Sequence, residues 1–252
     1  MTQDLKRQDG RAVDELRPVA FELDIAPAAL SSVLISVGNT RVICAVSVDE
    51  SVPPWMRYQK VPGGWLTSEY SLLPYSTPDR NRREGPGRTS GRTMEIQRLI
   101  GRSLRAAVDL KKIGERTLML DCDVLQADGG TRTASVTGGF LALRLAFDKL
   151  RASGKLKEDP LIQEIAAVSV GVVDGVPVLD LPYEEDVRAG TDMNVVMSAD
   201  GEFIEVQGTA EERPFNRAQL DGMLDLAAKG IGELMDLQRS VGSGDALENC
   251  DQ

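Results

Sequence analysis

The chain has 252 residues, 42% of them hydrophobic, which is enough to bury one large core or two small ones, and its net charge of −10 argues against a general nucleic-acid-coating protein. It contains no histidine, so His-based nucleophile triads, His general bases and His metal sites are all excluded, leaving carboxylates, arginines, hydroxyls or an oxygen-bound cation such as Mg²⁺ for catalysis. Cys44, Cys122 and Cys250 are widely spaced and fit neither a disulfide framework nor a zinc site, and no apolar run is long enough to span a bilayer, which together point to an unexported protein of the reducing cytoplasm with no membrane partner.

Residues 1–16 read as a polar segment of mixed charge, ahead of a single domain over 17–240 and a flexible acidic tail over 241–252. The β-rich stretches 33–37 and 42–48 flank Gly38-Asn39-Thr40, a hairpin signal. Between Asp79 and Arg105 the acidic average conceals a basic patch, with eight arginines against three acids. Its first part, 77–91, is rich in Pro, Gly, Ser and Arg and reads as a mobile loop, where arginines suit a grip on a phosphate backbone. Its second part, 94–110, places Ile96, Leu99, Ile100, Leu104, Ala107 and Val108 on one helical face. The opposite face, with Arg98, Arg102 and Arg105, reads as solvated surface.

Residues 118–125 are strand-like and 136–150 helix-like, and between them runs Gln126-Ala127-Asp128-Gly129-Gly130-Thr131-Arg132-Thr133-Ala134-Ser135. This segment has the outline of a phosphate cradle: glycines allow close backbone approach, hydroxyls donate, Arg132 offers a bidentate fork, and the following helix aims its positive end at the same place. A plain glycine-containing loop with a Thr or Ser helix cap accounts for the segment equally well.

Two more hairpins follow, 167–173 with 176–181 across Asp174-Gly175, and 194–199 with 203–207 across Asp200-Gly201. An amphipathic helix over 216–240 carries Leu220, Leu224, Ala227, Ile231, Leu234 and Met235 on one face. Strands grouped in hairpins, with helices between and after them, indicate an α+β domain. Asp180 ends a buried-looking strand, where an unpaired carboxylate is costly and a cation would relieve the cost. Asp186 follows a short Pro-containing turn, so the two carboxylates can face one site and share Mg²⁺ or a proton. The blander alternative is a solvated acidic loop at 184–186 with Asp180 as a strand-end cap.

Five segments, in order along the chain, resemble ribonuclease PH: Gly63-Gly64-Trp65-Leu66-Thr67-Ser68-Glu69-Tyr70, Gly91-Arg92-Thr93-Met94-Glu95-Ile96-Gln97-Arg98-Leu99-Ile100, the run from Leu120 through Asp128-Gly129-Gly130-Thr131-Arg132-Thr133, Thr191-Asp192-Met193-Asn194-Val195-Val196-Met197, and Ile204-Glu205-Val206-Gln207-Gly208-Thr209-Ala210. The resemblance implies a single α+β domain of the ribosomal protein S5 domain 2-like type, a mixed β-sheet with packed helices. It further implies a phosphate-dependent nucleotidyltransferase, a 3′-to-5′ phosphorolytic exoribonuclease that trims precursor tRNA and other single-stranded 3′ RNA ends. Such an enzyme uses inorganic phosphate in place of water and releases nucleoside diphosphates. By motif, Arg92, Gly130, Thr131 and Arg132 would bind the attacking phosphate, and Asp180 and Asp186 would hold Mg²⁺ or assist proton transfer. Arg80, Arg82, Arg83 and Arg88 fall in the loop that guides RNA, and the family's homohexamer, a trimer of dimers, is the implied assembly. A hydrolytic metal nuclease and a non-catalytic RNA-binding subunit are the rival readings.

Overall fold

The structure is a computed structural model that describes residues 5–85, 87, 89–211 and 214–242. In chain order its first half holds β1 (Val19–Leu23), β2 (Ser31–Val37), β3 (Thr40–Asp49), α1 (Pro54–Gln59), β4 (Trp65–Leu72), α2 (Gly91–Arg105) and β5 (Thr117–Gln126). The second half holds α3 (Thr131–Ala152), β6 (Ile165–Val173), β7 (Val176–Leu179), α4 (Tyr183–Asp186), β8 (Thr191–Ser198), β9 (Phe203–Ala210) and α5 (Arg217–Gly242). One sheet has the order β1-β2-β3-β5-β4 and the other β7-β6-β8-β9. The first is mixed, because α2 carries the chain across to place β4 parallel to β5, whereas the second is antiparallel throughout.

All three expected hairpins form. In the first, Val37 pairs Thr40 across a turn that Gly38 enters at φ 54°, a region that glycine occupies at little cost. Helix α3 lies between the two sheets. Val136, Phe140, Leu141, Leu143 and Phe147 are all buried, and the helix packs on β2 and β3 on one side and on β6 on the other. A methyl group at Gly138 would come within 2.7 Å of Ile35 Cγ2, so the helix backbone approaches the first sheet more closely than any larger residue permits. Every residue of β6 is buried: Ile165 and Ala167 join the core around α3, while Ala166, Val168, Val170 and Val172 join a second core with Met223, Ala227, Ile231 and Leu234 of α5. This two-sided burial explains its continuous apolar run.

Several boundaries differ from expectation. The helix expected over 94–110 ends at Arg105, because the Asp109 N–H bonds the Pro160 carbonyl and Val108 pairs with Leu161; Ala107 and Val108 are buried outside the helix. The helix expected from residue 136 starts at Thr131 instead. It is preceded by Gly130 in a left-handed conformation, and no Thr or Ser side chain caps it. The strand expected over 176–181 stops at Leu179, and Asp180, at φ 53°, turns the chain away. β1, β4 and α1 had no expectation attached to them. The expected tail lies, from residue 243 on, outside the described residues. Among the described residues no helix is long and apolar enough to cross a membrane, and Cys44 and Cys122 are free thiols.

Candidate active site

Where β5 ends, Gly129 (φ 74°) and Gly130 (φ 67°) turn the chain directly into α3. The first helical bond runs from the Ala134 N–H to the Gly130 carbonyl at 3.0 Å, so the N–H groups of Thr131, Arg132 and Thr133 precede it and belong to the open, positive end of the helix. Across this end lies a cavity of about 1330 Å³, lined by Tyr70, Arg80, Arg92, Gly129, Gly130, Thr131, Arg132, Asp186 and Asp192, among others. It exceeds a typical small-molecule pocket of roughly 300–1,000 Å³.

Two arginines enter from different helices. Arg92 sits in the first turn of α2, where Ser90 caps the helix by accepting from the Thr93 N–H at 3.1 Å. Arg132 sits in the first turn of α3 and is held from the side: its Nη1 donates to Gln207 Oε1 at 3.0 Å and lies 3.4 Å from Glu95 Oε2, while Gln207 Nε2 donates to Glu95 Oε1 at 3.0 Å. This triangle joins α2, α3 and β9 and fixes the guanidinium. The Tyr70 hydroxyl and Thr131 Oγ1 are 2.8 Å apart; burial pushes the phenol up from its ordinary pKa, against the pull of that bond and of both arginines.

Asp186 is open to the same cavity, yet the surrounding protein desolvates it enough to raise its carboxyl above the ordinary range, with Asp192 adding to the rise and Arg92 and Arg132 opposing it. Asp180, expected beside it, is not among the cavity-lining residues. Its carboxylate accepts from Arg17 Nε (2.9 Å), Arg17 Nη2 (2.7 Å) and the Arg17 N–H (2.8 Å) and is 3.5 Å from Arg11. Burial alone would raise this carboxyl, and the Arg17 bonds and charge hold it below the ordinary range. The carboxylate that looked unpaired in the sequence thus has a buried cationic partner in Arg17, whereas Asp186 faces the cavity.

Among the described residues no group of three or more Asp, Glu, Cys or His side chains could enclose a metal ion. Mg²⁺ does not require such a cage, because it is commonly held by one or two carboxylates together with water and substrate phosphates. Asp186 and Asp192, which both line the cavity, with the Asp192 charge helping to raise the Asp186 carboxyl, are a donor set of that kind.

Of the loop arginines, Arg80 lines the cavity and Arg82 and Arg83 are exposed beyond it, Arg83 close enough to Asp123 to oppose the rise that burial imposes on that carboxyl. Arg88 lies outside the described residues. Tyr70, Glu95, Asp192 and Gln207 were not picked out from the sequence as site residues, although each stands inside one of the five motif segments, which was the available signal.

Family models described as "3′ exoribonuclease family, domain 1" and "domain 2" match residues 15–147 and 163–230. The chain is 56% identical over 234 residues to the ribonuclease PH of Parasynechococcus marenigrum, covering 93% of each chain. It is 55% identical over 244 residues to that of Bacillus subtilis, covering 96% of this chain and 98% of the other. Among solved structures, rice Rrp46 superposes with a TM-score of 0.75 at 17% identity, covering 93% of this chain and 99% of that one. A chain of the Archaeoglobus fulgidus exosome, solved with RNA bound to the active site, gives 0.75 at 23% identity, covering 93% of both. The cradle, the two arginines and the motifs that carry them thus sit in a chain that belongs to the ribonuclease PH family of 3′ exoribonucleases.

Proposed function

We propose that the chain is the phosphorolytic 3′-to-5′ exoribonuclease of tRNA processing that its family membership implies, with inorganic phosphate attacking the last phosphodiester and a nucleoside diphosphate leaving. The observation that carries this reading is the convergence of Arg92, Arg132 and the open end of α3 on one cavity. A phosphate dianion and an RNA phosphodiester repel one another, and hydrolysis would leave two arginines and a helix N-terminus without an obvious second anion to hold. Arg132 is already braced by Gln207 and Glu95, so it meets the anion with little reorganisation. Gly130 and Thr131 would supply backbone donors to the same phosphate. Positioning and charge neutralisation are most of what phosphoryl transfer asks of a protein.

Asp186 and Asp192 would hold Mg²⁺, which when bound neutralises charge on the reacting phosphates. Asp186, with its raised carboxyl, is also suited to holding a proton at the leaving oxygen. Arg80, which lines the cavity, would meet the RNA there, with exposed Arg82 and Arg83 as further phosphate contacts and Arg88 assigned to RNA by the motif alone. The phosphodiester bond that breaks is replaced by the phosphoanhydride bond of the nucleoside diphosphate, at little net cost, so the enzyme is a nucleotidyltransferase that high nucleoside diphosphate drives backwards into 3′ addition. A homohexamer in the cytoplasm is the setting we propose for it. The test is to incubate the protein with a 3′-extended tRNA and Mg²⁺, with and without phosphate, and to identify the released nucleotides. Diphosphates released only with phosphate support the reading, and monophosphates released regardless of phosphate overturn it.

A further inference from the structure

We infer that Arg17 is a positioning residue for the phosphate cradle, coupling the Gly129-Gly130 turn to the loop that carries Asp186; the inference rests on the phosphorolytic reading above. Arg17 precedes β1, is almost wholly buried, and does not line the cavity. One edge of its guanidinium grips the Asp180 carboxylate. The remaining donors go to the main chain of the cradle, Nη1 to the Asp128 carbonyl and Nη2 to the Gly129 carbonyl at 3.4 Å.

These two carbonyls matter because of what the peptide unit does. In a trans peptide the N–H of the next residue points opposite to the carbonyl, so fixing the carbonyls of Asp128 and Gly129 toward Arg17 fixes the N–H groups of Gly129 and Gly130 away from it. Both glycines line the cavity. Glycine peptides reorient most easily of all, and two in succession at positive φ would otherwise sample inverted peptide planes that present oxygen to an anion. Thr40 Oγ1 reinforces the same orientation by donating to the Gly129 carbonyl at 2.7 Å. At the other end, the Asp180 carbonyl accepts from Arg7 (2.8 Å) and Arg11 (3.1 Å), so the residue that starts the acidic loop is held by three arginines of the amino-terminal arm. Asp128 Oδ1 accepts from the Tyr183 N–H at 3.2 Å and closes the link between the two loops. Arg17 thereby sets the direction of the cradle's donors and the spacing between the cradle and the acidic wall, while its own charge is spent on Asp180.

The experiment compares wild type with Arg17→Lys, which keeps the charge and loses the planar fork, and with Thr40→Val, which removes the hydroxyl that bonds the Gly129 carbonyl and the Asp128 N–H. Phosphorolysis of a 3′-extended tRNA is followed with phosphate varied at saturating RNA, and with RNA varied at saturating phosphate, alongside a thermal melt. Arg17→Lys is expected to raise KM for phosphate on the order of 10- to 100-fold and Thr40→Val to raise it less, with KM for RNA unchanged in both. If kcat falls in proportion to the folded fraction while KM for phosphate stays at the wild-type value, or if both KM values rise together, Arg17 is a structural ion pair and the inference is overturned. Should Arg17→Lys not fold, the KM split of Thr40→Val decides by the same criterion. Wild-type trimming that ignores phosphate is a distinct result, and it overturns the phosphorolytic reading itself.

Discussion

Arg7 and Glu185 form a two-pronged ion pair in which Nε and Nη2 donate to the two carboxylate oxygens at 3.0 and 2.7 Å, with side-chain exposures of only 0% and 5%. Replacing Glu185 by alanine leaves the guanidinium buried with nothing but carbonyl acceptors, those of Asp180, Ala12 and Glu15. Removing one partner of a buried pair costs about 3–5 kcal/mol, and the surviving carbonyls place this case near the lower end, about 3 kcal/mol. In a chain of this length about 1 kcal/mol corresponds to roughly 2–4 °C, so the expected fall in Tm is about 6–12 °C. Scanning calorimetry at matched protein concentration measures it. The double variant Arg7→Met/Glu185→Leu removes both charges and should recover most of the loss, since it is the orphaned charge and not the missing contact that is costly. A Glu185→Ala melt within about 1 °C of wild type, or a double variant no more stable than the single one, would refute this account of the arm.

Gly129→Ala combines a left-handed backbone with a methyl 2.4 Å from the Leu181 carbonyl, a contact between two main chains that neither can relieve by a rotamer change. Strain and crowding together should cost about 2–5 kcal/mol, seen as a lower Tm and a higher KM for phosphate, and an unchanged melt would contradict the packing described. Asp186, followed by ¹³C NMR in cation-free protein, should hold its proton to a higher pH than the roughly 3.9 of an ordinary aspartate, because the cavity walls and Asp192 both disfavour its charge. Asp192→Asn should move that titration back down in pH, whereas an unmoved titration would show that Asp192 does not act on it.

What was legible in the sequence was local. The hairpins were announced by turns of two or three residues, Gly38-Asn39, Asp174-Gly175 and Asp200-Gly201, whose backbone demands are written in those residues alone. The Gly-Gly cradle was a similarly compact signal, the α+β class followed from the grouping of hairpins and helices, and the role of Arg92 came only with the resemblance of the motif around it. The partner of Asp180 was not legible because it is distant: a carboxylate that looks orphaned at a strand end meets a guanidinium 163 residues earlier in the chain. Asp192 and Gln207 belong to the second sheet, and they reach the cavity and Arg132 respectively only when that sheet packs across α3, which no periodicity reports. The early end of α2 has the same origin, since Ala107 and Val108 keep the helical spacing but are buried by the segment around Leu161. Gly130 was passed over as the start of α3 because a left-handed glycine before a helix resembles an ordinary loop glycine until the helix is seen to begin immediately after it.

The place of α3 between the sheets also sets an order of events on the ribosome. The first sheet and one face of the helix are complete once Ala152 has emerged, but the other face, with β6 still unmade, has only solvent to meet. The cradle is therefore synthesised before its acidic wall, and at about 5–20 residues per second the interval until Glu211 appears is roughly 3–12 s. At the start of that window the arginines and the helix end have been made, whereas Asp186, Asp192 and Gln207 have not. The half of the chain that carries the cradle is thus made before the half that carries its acidic wall, and until β6 follows, one face of the helix on which both sheets pack is uncovered.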